Sequence, residues 1–277
     1  LSVPAGTTPT NITVDVTDVG SGSASSGTDY SGVGTVTLTF PAGSANGATQ
    51  IFNLGVLGDL LVEGDETVDL QLGNAVGTGA ALGAQSTHSA TITDDDQALV
   101  AFQGATSATA DEAAGNHAVE VVLSVPAGTT PTNITVDVTD VGSGSASSGT
   151  DYSAVGTVTL TFPAGSANGA TQIFNLSVLG DLLVEGDETV DLQLGNAVGT
   201  GAALGAQSTH SATITDDDQA LVAFQGATSA TADEAAGNHA VEVVLSVPAG
   251  TIPTNITVDV TDVGSGSASS GTDYSAV

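Results

Sequence analysis

The chain has 277 residues with 31 acidic side chains, four histidines and no lysine, arginine, cysteine or methionine, so its formal net charge is −31. Because no lysine or arginine is present to neutralise phosphates, we do not expect nucleic-acid binding. We do not expect insertion into a membrane either, because the apolar runs are far shorter than the ~18 residues of a transmembrane helix. The absence of cysteine excludes disulfides and thiolate metal sites.

An internal repeat organises the sequence. The hexapeptide LSVPAG begins at Leu1, Leu123 and Leu245, so the period is 122 residues. The copies differ at three positions: Gly32 against Ala154, Gly55 against Ser177, and Thr130 against Ile252. A period of this length is the size of a domain and exceeds the repeats of solenoid proteins. We therefore expect a tandem array of one module.

The module boundaries are predicted from the string TDDD, which ends an apolar alternating run in both full copies. Residues 1–96 then form a partial module without its first strands, residues 97–218 a complete module, and residues 219–277 a partial module without its last strands. We call these the first, second and third modules. The sequence is interpreted as a window of a longer array.

Seven strands are predicted in the second module, most of them from the alternation of β-branched and polar residues. They are expected, in chain order, at 98–105, 118–125, 134–141, 157–162, 171–179, 189–194 and 210–215. Residues 142–152 form a Gly/Ser-rich loop that we expect to be flexible. This pattern predicts an all-β fold, an immunoglobulin-like antiparallel β-sandwich of seven strands. Its core should consist of valine, leucine, isoleucine and alanine together with Phe102, Phe162 and Phe174.

Acidic residues of the second module concentrate at four loops or strand ends. Like charges at ~4 Å repel by about 1 kcal/mol even in water, so such a cluster favours a cation. Oxygen ligands from several loops suit calcium, which takes 6 to 8 oxygens, whereas magnesium would keep more of its water. The alternative is that the carboxylates lie separately in solvated loops. The candidate ligands are Glu112, Asp151, Asp181, Glu185, Glu188, Asp216, Asp217 and Asp218.

The order of these motifs resembles the Calx-beta domain, which is known from the regulatory region of sodium/calcium exchangers and from bacterial surface proteins. The strings that carry the resemblance are SGTDYSAVGTVTLTF, VLGDLLVEGDETVDLQLGN and ATITDDD. The resemblance implies that Ca²⁺ binds at one end of a seven-stranded sandwich through the eight acids above. Family members often have a run of aspartates where this chain has Gly180-Asp181-Leu182, so the resemblance implies a reduced site.

The same resemblance assigns candidate ligands to the partial modules. The third module retains Glu234 and Asp273 and is not expected to bind calcium alone. The first module lacks the glutamate that follows the first strand. Its candidate ligands are Asp29, Asp59, Glu63, Glu66, Asp94, Asp95 and Asp96.

Other functional classes fit the sequence less well. The serine, histidine and aspartate residues around His210 lie along one predicted strand with alternating faces, so we do not expect an enzyme. His117 and His210 are isolated in sequence, and we expect them in loops or at the surface. Carbohydrate binding calls for exposed aromatic side chains, and Tyr152 is the loop aromatic of the second module.

The sequence therefore predicts an extracellular, calcium-rigidified array that forms a stalk, a fibre or an adhesin shaft. A calcium sensor that changes shape on binding, and a carbohydrate- or surface-binding domain, are the alternatives. The expected partners are neighbouring identical modules of the same array, with lateral or head-to-tail self-association as a further expectation.

Overall fold

The computed structural model describes residues 1–104, 107–226 and 229–275. Within these ranges the regular structure consists of β-strands and two single-turn 3₁₀ helices, Glu112–Ala114 and Glu234–Ala236. No helix among the described residues is long and apolar enough to cross a bilayer. The predicted all-β class is confirmed.

The first module contains one antiparallel sheet of four strands. They are β1 (Ile12–Asp18), β2 (Val36–Phe40), β3 (Glu66–Val76) and β4 (Thr87–Ile92). Their order in the sheet is β2-β1-β3-β4.

The second module contains nine strands among the described residues. They are β5 (Ala98–Phe102), β6 (Ser107–Asp111), β7 (Asn116–Ser124), β8 (Ile134–Asp140), β9 (Val158–Phe162), β10 (Thr171–Ser177), β11 (Glu188–Val198), β12 (Ala202–Leu204) and β13 (Thr209–Thr215). Seven of them overlap the predicted strands, and β6 and β12 are additional. Position 105, the end of the first predicted strand, lies outside the described residues.

Two sheets form the sandwich of the second module, with the strand orders β10-β7-β5-β12 and β6-β13-β11-β8-β9. The chain passes from the first sheet to the second between β5 and β6. Most neighbouring strands are antiparallel, as predicted, but β6 pairs with β13 and β12 pairs with β5 in parallel. The two unpredicted strands therefore both lie in parallel pairs at sheet edges.

The core of the second module lies between these sheets and matches the predicted composition. Phe102, Phe162 and Phe174 are all buried there. Valine, leucine, isoleucine and alanine side chains supply most of the remaining core. Fully burying one such large apolar side chain stabilises a fold by about 1.5–3 kcal/mol, so this core is the main source of stability.

The Gly/Ser-rich loop of residues 142–152 is held against β11 by regular hydrogen bonds. Ser143 Oγ donates to Asp191 Oδ2 at 2.6 Å, and the Ala146 amide donates to the Thr189 carbonyl at 3.0 Å. Between them, Gly144 approaches so closely that a Cβ built on it would lie 2.1 Å from Thr189 O. The loop is thus a packed part of the sandwich, and the expectation of a merely flexible segment is not met.

The third module contains a two-stranded antiparallel sheet among the described residues, formed by β14 (Leu221–Phe224) and β15 (Val243–Ser246). These strands repeat the sequences of β5 and β7. Leu221 and Phe224 are 61% and 62% exposed, whereas Phe102, the counterpart of Phe224, is 2% exposed in the second module. Among the described residues, no second sheet covers the apolar side chains of these two strands as one covers their counterparts in the second module.

Candidate metal centre

Four segments converge at one end of the second sandwich and bring carboxylates together. β13 ends at Thr215 and leads into Asp216, while the loop between β10 and β11 carries Asp181 and Glu185. Glu112 begins the 3₁₀ helix that follows β6. The fourth segment is the Gly/Ser-rich loop, which ends near Asp151. Because each acid stands where a strand ends or a loop turns, the sandwich places them at a common edge.

Two groups of three carboxylates form there, and within each group one oxygen per residue lies within 4.8 Å of the others. One group contains Glu112, Asp181 and Asp218, and the other contains Asp151, Glu185 and Glu188. Six of the eight predicted ligands of this module form these two groups. A seventh, Asp216, lines a small cavity together with Glu112 and all three members of the second group.

Backbone amides fix the geometry of these loops. Asp216 accepts from the Glu185 amide at 2.9 Å and from the Asp218 amide at 3.0 Å, one at each carboxylate oxygen. Glu112 Oε1 accepts from the Asp181 amide at 2.6 Å, and Asp181 Oδ1 accepts from the Leu183 amide at 2.6 Å. Asp216 therefore joins the acidic end of β13 to the loop before β11.

The carboxylates are electrostatically unfavourable as a group. Burial is the main reason that the pKa of Glu188 is raised to about 7, and its hydrogen bond with Asp151 and the negative charges nearby raise it further. Burial also raises the pKa values of Glu112, Glu185 and Asp218. A cation between these side chains would remove the repulsion and favour the ionised forms.

One atom indicates that the residues of this site fit a bound cation. Asp218 Oδ2 is buried and has no hydrogen-bond partner among the described residues. An unpaired buried carboxylate oxygen is costly, and a bound cation satisfies it. Since every side-chain donor here is a carboxylate, the residues fit a hard cation such as calcium better than a soft transition metal.

Asp217 differs from its neighbours in the acidic triplet. Its side chain is exposed, and it belongs to neither group of three. Its charge raises the pKa values of Glu112 and Asp218. Asp217 therefore acts on the cluster through its charge and is not a member of either group of three.

The first module repeats the arrangement with fewer ligands. Asp29, Asp59 and Glu63 form its group of three. Asp94 Oδ2 accepts from the amides of Glu63 and Gly64 at 3.0 and 3.1 Å. The remaining candidate ligands, Glu66, Asp95 and Asp96, line the same cavity.

The third module places its two candidate ligands apart from any such group. Glu234 is exposed in its 3₁₀ helix, and Asp273 accepts from the Ser269 amide at 2.8 Å. Among the described residues neither takes part in a cluster of three potential ligands.

The two histidines of the second module are not at the surface, so that expectation is wrong. His117 on β7 and His210 on β13 are 9% and 5% exposed, and their rings stack with centroids 6.4 Å apart. Burial lowers the pKa of His117. The alternation of polar and apolar residues on both strands places these rings on the inward faces, a signal that the separate consideration of each histidine missed.

Tyr152 is also buried, at 3% exposure, and its hydroxyl donates to Asp140 Oδ2 at 2.5 Å. It therefore offers no open ring face to a sugar. Sequence reasoning further missed the residues Leu61 and Val62, which contact the second module. Their signal in the sequence is the apolar run 60–62, which stands between Asp59 and Glu63.

This site and fold define tandem β-sandwich modules with carboxylate clusters at the module ends. The chain belongs to the Calx-beta domain family, whose model matches residues 2–97, 93–219 and 215–277. Calx-beta domains are known as calcium-binding domains.

Several solved structures are similar to the chain. The apo-form Calx CBD1 domain is 28% identical with a TM-score of 0.39, over 44% of this chain and 100% of that one. The calcium binding domain CBD12 of CALX1.1 is 19% identical with a TM-score of 0.36, over 73% of this chain and 86% of that one. CBD12 from CALX1.2 is 20% identical with a TM-score of 0.36, over 76% of this chain and 90% of that one. Among curated protein sequences, none matches.

Substitutions in the second module should separate ligands from surface charges. Asp218→Asn and Glu185→Gln are each expected to weaken calcium binding at this module by about tenfold or more, because each removes a charged oxygen from a group of three. Asp217→Asn should have a smaller effect because that side chain is exposed. Titration calorimetry on the full chain measures these affinities.

Asp137→Asn is the matched control. Asp137 lies on β8, where it accepts from Thr159 Oγ1 at 2.5 Å and from Asn196 Nδ2 at 2.9 Å, outside the two groups. Its substitution should leave calcium affinity unchanged. An equal loss in Asp137→Asn and Asp218→Asn would show diffuse attraction of cations by an acidic protein.

Calcium binding is expected to release protons near neutral pH. The pKa values of Glu66 and Glu188 are both raised to about 7, so each is partly protonated there, and an ion displaces that proton. Affinity should therefore rise as the pH increases from about 5.5 to about 8, and then level off. Calorimetry in buffers of different ionisation enthalpy counts the protons. Glu188→Gln should reduce the number of protons released. An unchanged number would contradict the assignment of Glu188 as a proton-releasing ligand.

Proposed function

We propose that this chain is part of an extracellular, calcium-binding structural array. The observation that carries the proposal is the convergence of carboxylates from four segments at the end of the second module, with Asp218 Oδ2 buried and unpaired. Membership of a calcium-binding family supports calcium as the ion.

In this proposal the two groups of three carboxylates are the ion-binding positions of the second module. Glu112, Asp181 and Asp218 hold one position, and Asp151, Glu185 and Glu188 hold the other. The first module binds through Asp29, Asp59 and Glu63. The bound cation supplies positive charge that offsets carboxylate repulsion, and the hydrogen bonds of Asp216 keep the loops in place around it.

The structural role is supported by the repetition of the module. We place the module boundaries after residues 96 and 218, so that each acidic triplet lies directly before the next module. Ions at that position restrain the joint, which makes the array a stalk, a fibre or an adhesin shaft. Calcium modules that function outside cells bind with dissociation constants of about 10⁻⁴–10⁻³ M, an affinity range that suits a reduced carboxylate site.

A calcium-sensor role is the second candidate, and one observation favours it. Asp151, Glu185 and Glu188 repel one another when no cation is bound, which gives the loops a reason to separate and change shape on calcium release. The buried position of Tyr152 speaks against the carbohydrate-binding alternative.

Solution scattering of the full chain, with calcium and with excess chelator, tests these roles. A shaft keeps its overall length and becomes stiffer with calcium, whereas a sensor changes its domain arrangement. Binding itself is measured by calorimetry, and an absence of calcium binding at millimolar concentration would refute both roles. Sedimentation measurements under the same conditions test lateral and head-to-tail self-association.

A further inference from the structure

A short apolar run occupies the middle of the first module's acidic loop. Leu60, Leu61 and Val62 stand between Asp59 and Glu63, where a solvated loop would carry polar residues, and Leu60 is exposed. Val62 is nevertheless only 2% exposed. The buried side chains with which it clusters belong to the second module, among them Ala98, Val125 and Leu194. We call Leu61 and Val62 the tip.

The second module presents a matching surface to the tip. Leu61 forms a parallel β-bridge with Ala127. A Cβ built on Gly128 would lie 2.9 Å from Leu61 Cδ2, and one built on Gly201 would lie 2.4 Å from Val62 Cγ1. We call Ala127, Gly128 and Gly201 the seat. Its two glycines leave the space that the leucine and valine side chains fill.

The seat is tied to the start of the second module. The Ala98 amide donates to the Gly201 carbonyl at 2.9 Å, so β5 begins against the turn that covers Val62. Gly64, just after the tip, approaches the neighbouring residue of the same turn, since a Cβ built on it would lie 3.2 Å from Thr200 Cγ2. The tip thus contacts the place where β5 and β12 pair.

The contact recurs at the next joint. Leu183, the counterpart of Leu61, forms a parallel bridge with Ala249 of the third module, and a Cβ built on Gly250 would lie 2.5 Å from Leu183 Cδ2. Val184, the counterpart of Val62, is half-buried. The Leu–Ala bridge is therefore a property of the module pair, while deep burial of the valine is seen where the seat includes Gly201.

We propose that the Leu–Val tip of each module is a docking element for the base of the module that follows, and that Val62 completes the core of the second module. The partner is a module of this chain's own type, recognised by a seat of alanine and two glycines. The contact is made by apolar side chains, whereas the proposed calcium role rests on the carboxylates that flank them, so the two can be tested separately. It makes the stability of a module depend on its predecessor, as a nearest-neighbour interface does.

The test compares Val62→Thr with Val184→Thr in the full chain. Both substitutions exchange a methyl group for a hydroxyl in the same local sequence, but only Val62 lies in a closed core. Amide hydrogen exchange is followed by NMR on chains with segmental isotope labelling of residues 97–218. In Val62→Thr, protection in β5 and β12 should fall by about tenfold or more, and in Val184→Thr it should not change there.

Val62→Ala serves as a second variant, because it removes methyl groups without burying a hydroxyl, and the same strands should lose protection. Unchanged protection in both Val62 variants, or an equal loss in Val184→Thr, would overturn the proposal. The comparison is repeated with excess chelator. Because the contact is apolar, the difference between the variants should persist there, so a failure of calcium binding and a failure of docking are separately visible.

Discussion

Chelation of calcium is expected to lower the melting temperature of the full chain by about 10 °C. A ligand present at 100 times its dissociation constant stabilises the folded state by about 2.7 kcal/mol, and in a domain of this size each kcal/mol shifts the midpoint by several degrees. This stabilisation comes from the removal of repulsion among the carboxylates of the second module's two groups of three. Calorimetric melting in calcium and in excess chelator measures the shift.

The control for this experiment is a chain in which the second module's groups are weakened. Asp218→Asn combined with Glu185→Gln should reduce the difference between the two melting curves and leave a part that comes from the first module. Sodium chloride at matched ionic strength should not replace calcium, because simple screening does not fill a coordination site. An identical melting curve in calcium and in chelator would contradict the calcium assignment.

Gly144→Ala is expected to destabilise the second module by about 3 kcal/mol or more, the upper range for overpacking. The added Cβ would lie 2.1 Å from the Thr189 carbonyl oxygen and 3.0 Å from Val190 Cα, and both are backbone atoms of β11 that cannot rotate away. The Gly/Ser-rich loop would have to move away from β11 and break the hydrogen bond from the Ala146 amide to the Thr189 carbonyl. Thermal and urea unfolding measure the loss.

Gly156→Ala is the matched control for that variant. A Cβ built on Gly156 meets no atom within 4 Å, so the same chemical change should cost almost nothing there. Gly22→Ala offers an independent repetition, because the first module shows the same 2.1 Å approach to Thr67 O. Stability equal to that of Gly156→Ala in both clashing variants would refute the close packing of this loop.

Much of the sandwich follows from local sequence. The strands β8 and β13 alternate between buried and less buried residues, so the two-residue period marks both their existence and their inward faces. The inward positions of Phe102, Phe162 and Phe174 follow in the same way. In such half-buried strands one face packs on the core and the other faces solvent. The resulting alternation of apolar and polar residues is visible in the sequence.

The strands β6 and β12 could not be predicted in this way. They consist mainly of alanine, serine and threonine, with little contrast between faces, and they form because a neighbouring strand offers open hydrogen-bonding groups. Their parallel pairing depends on where the chain crosses between sheets. The pairing partner of each strand is set by the tertiary fold, so it cannot be read from the few residues of the strand itself.

The candidate site shows the same division. Clusters of acids in loops mark Glu112, Asp151 and the residues around Glu185, but the sequence does not show which oxygens meet. The distinction between exposed Asp217 and Asp218, with its buried Oδ2, depends on the path of the chain after β13. Likewise, the apolar character of Leu61 and Val62 is visible in the sequence, while their partner in another module is not.

The parallel pairing of β6 with β13 has a mechanical consequence. β6 lies near the start of the second module and β13 near its end, and their register joins Ser107 with Ser211 through to Asp111 with Thr215. Tension along the chain pulls β6 by its amino end and β13 by its carboxyl end, and in a parallel pair these ends lie at opposite ends of the ladder. The load therefore shears the paired strands along one another, and their hydrogen bonds resist together where a hairpin would unzip bond by bond.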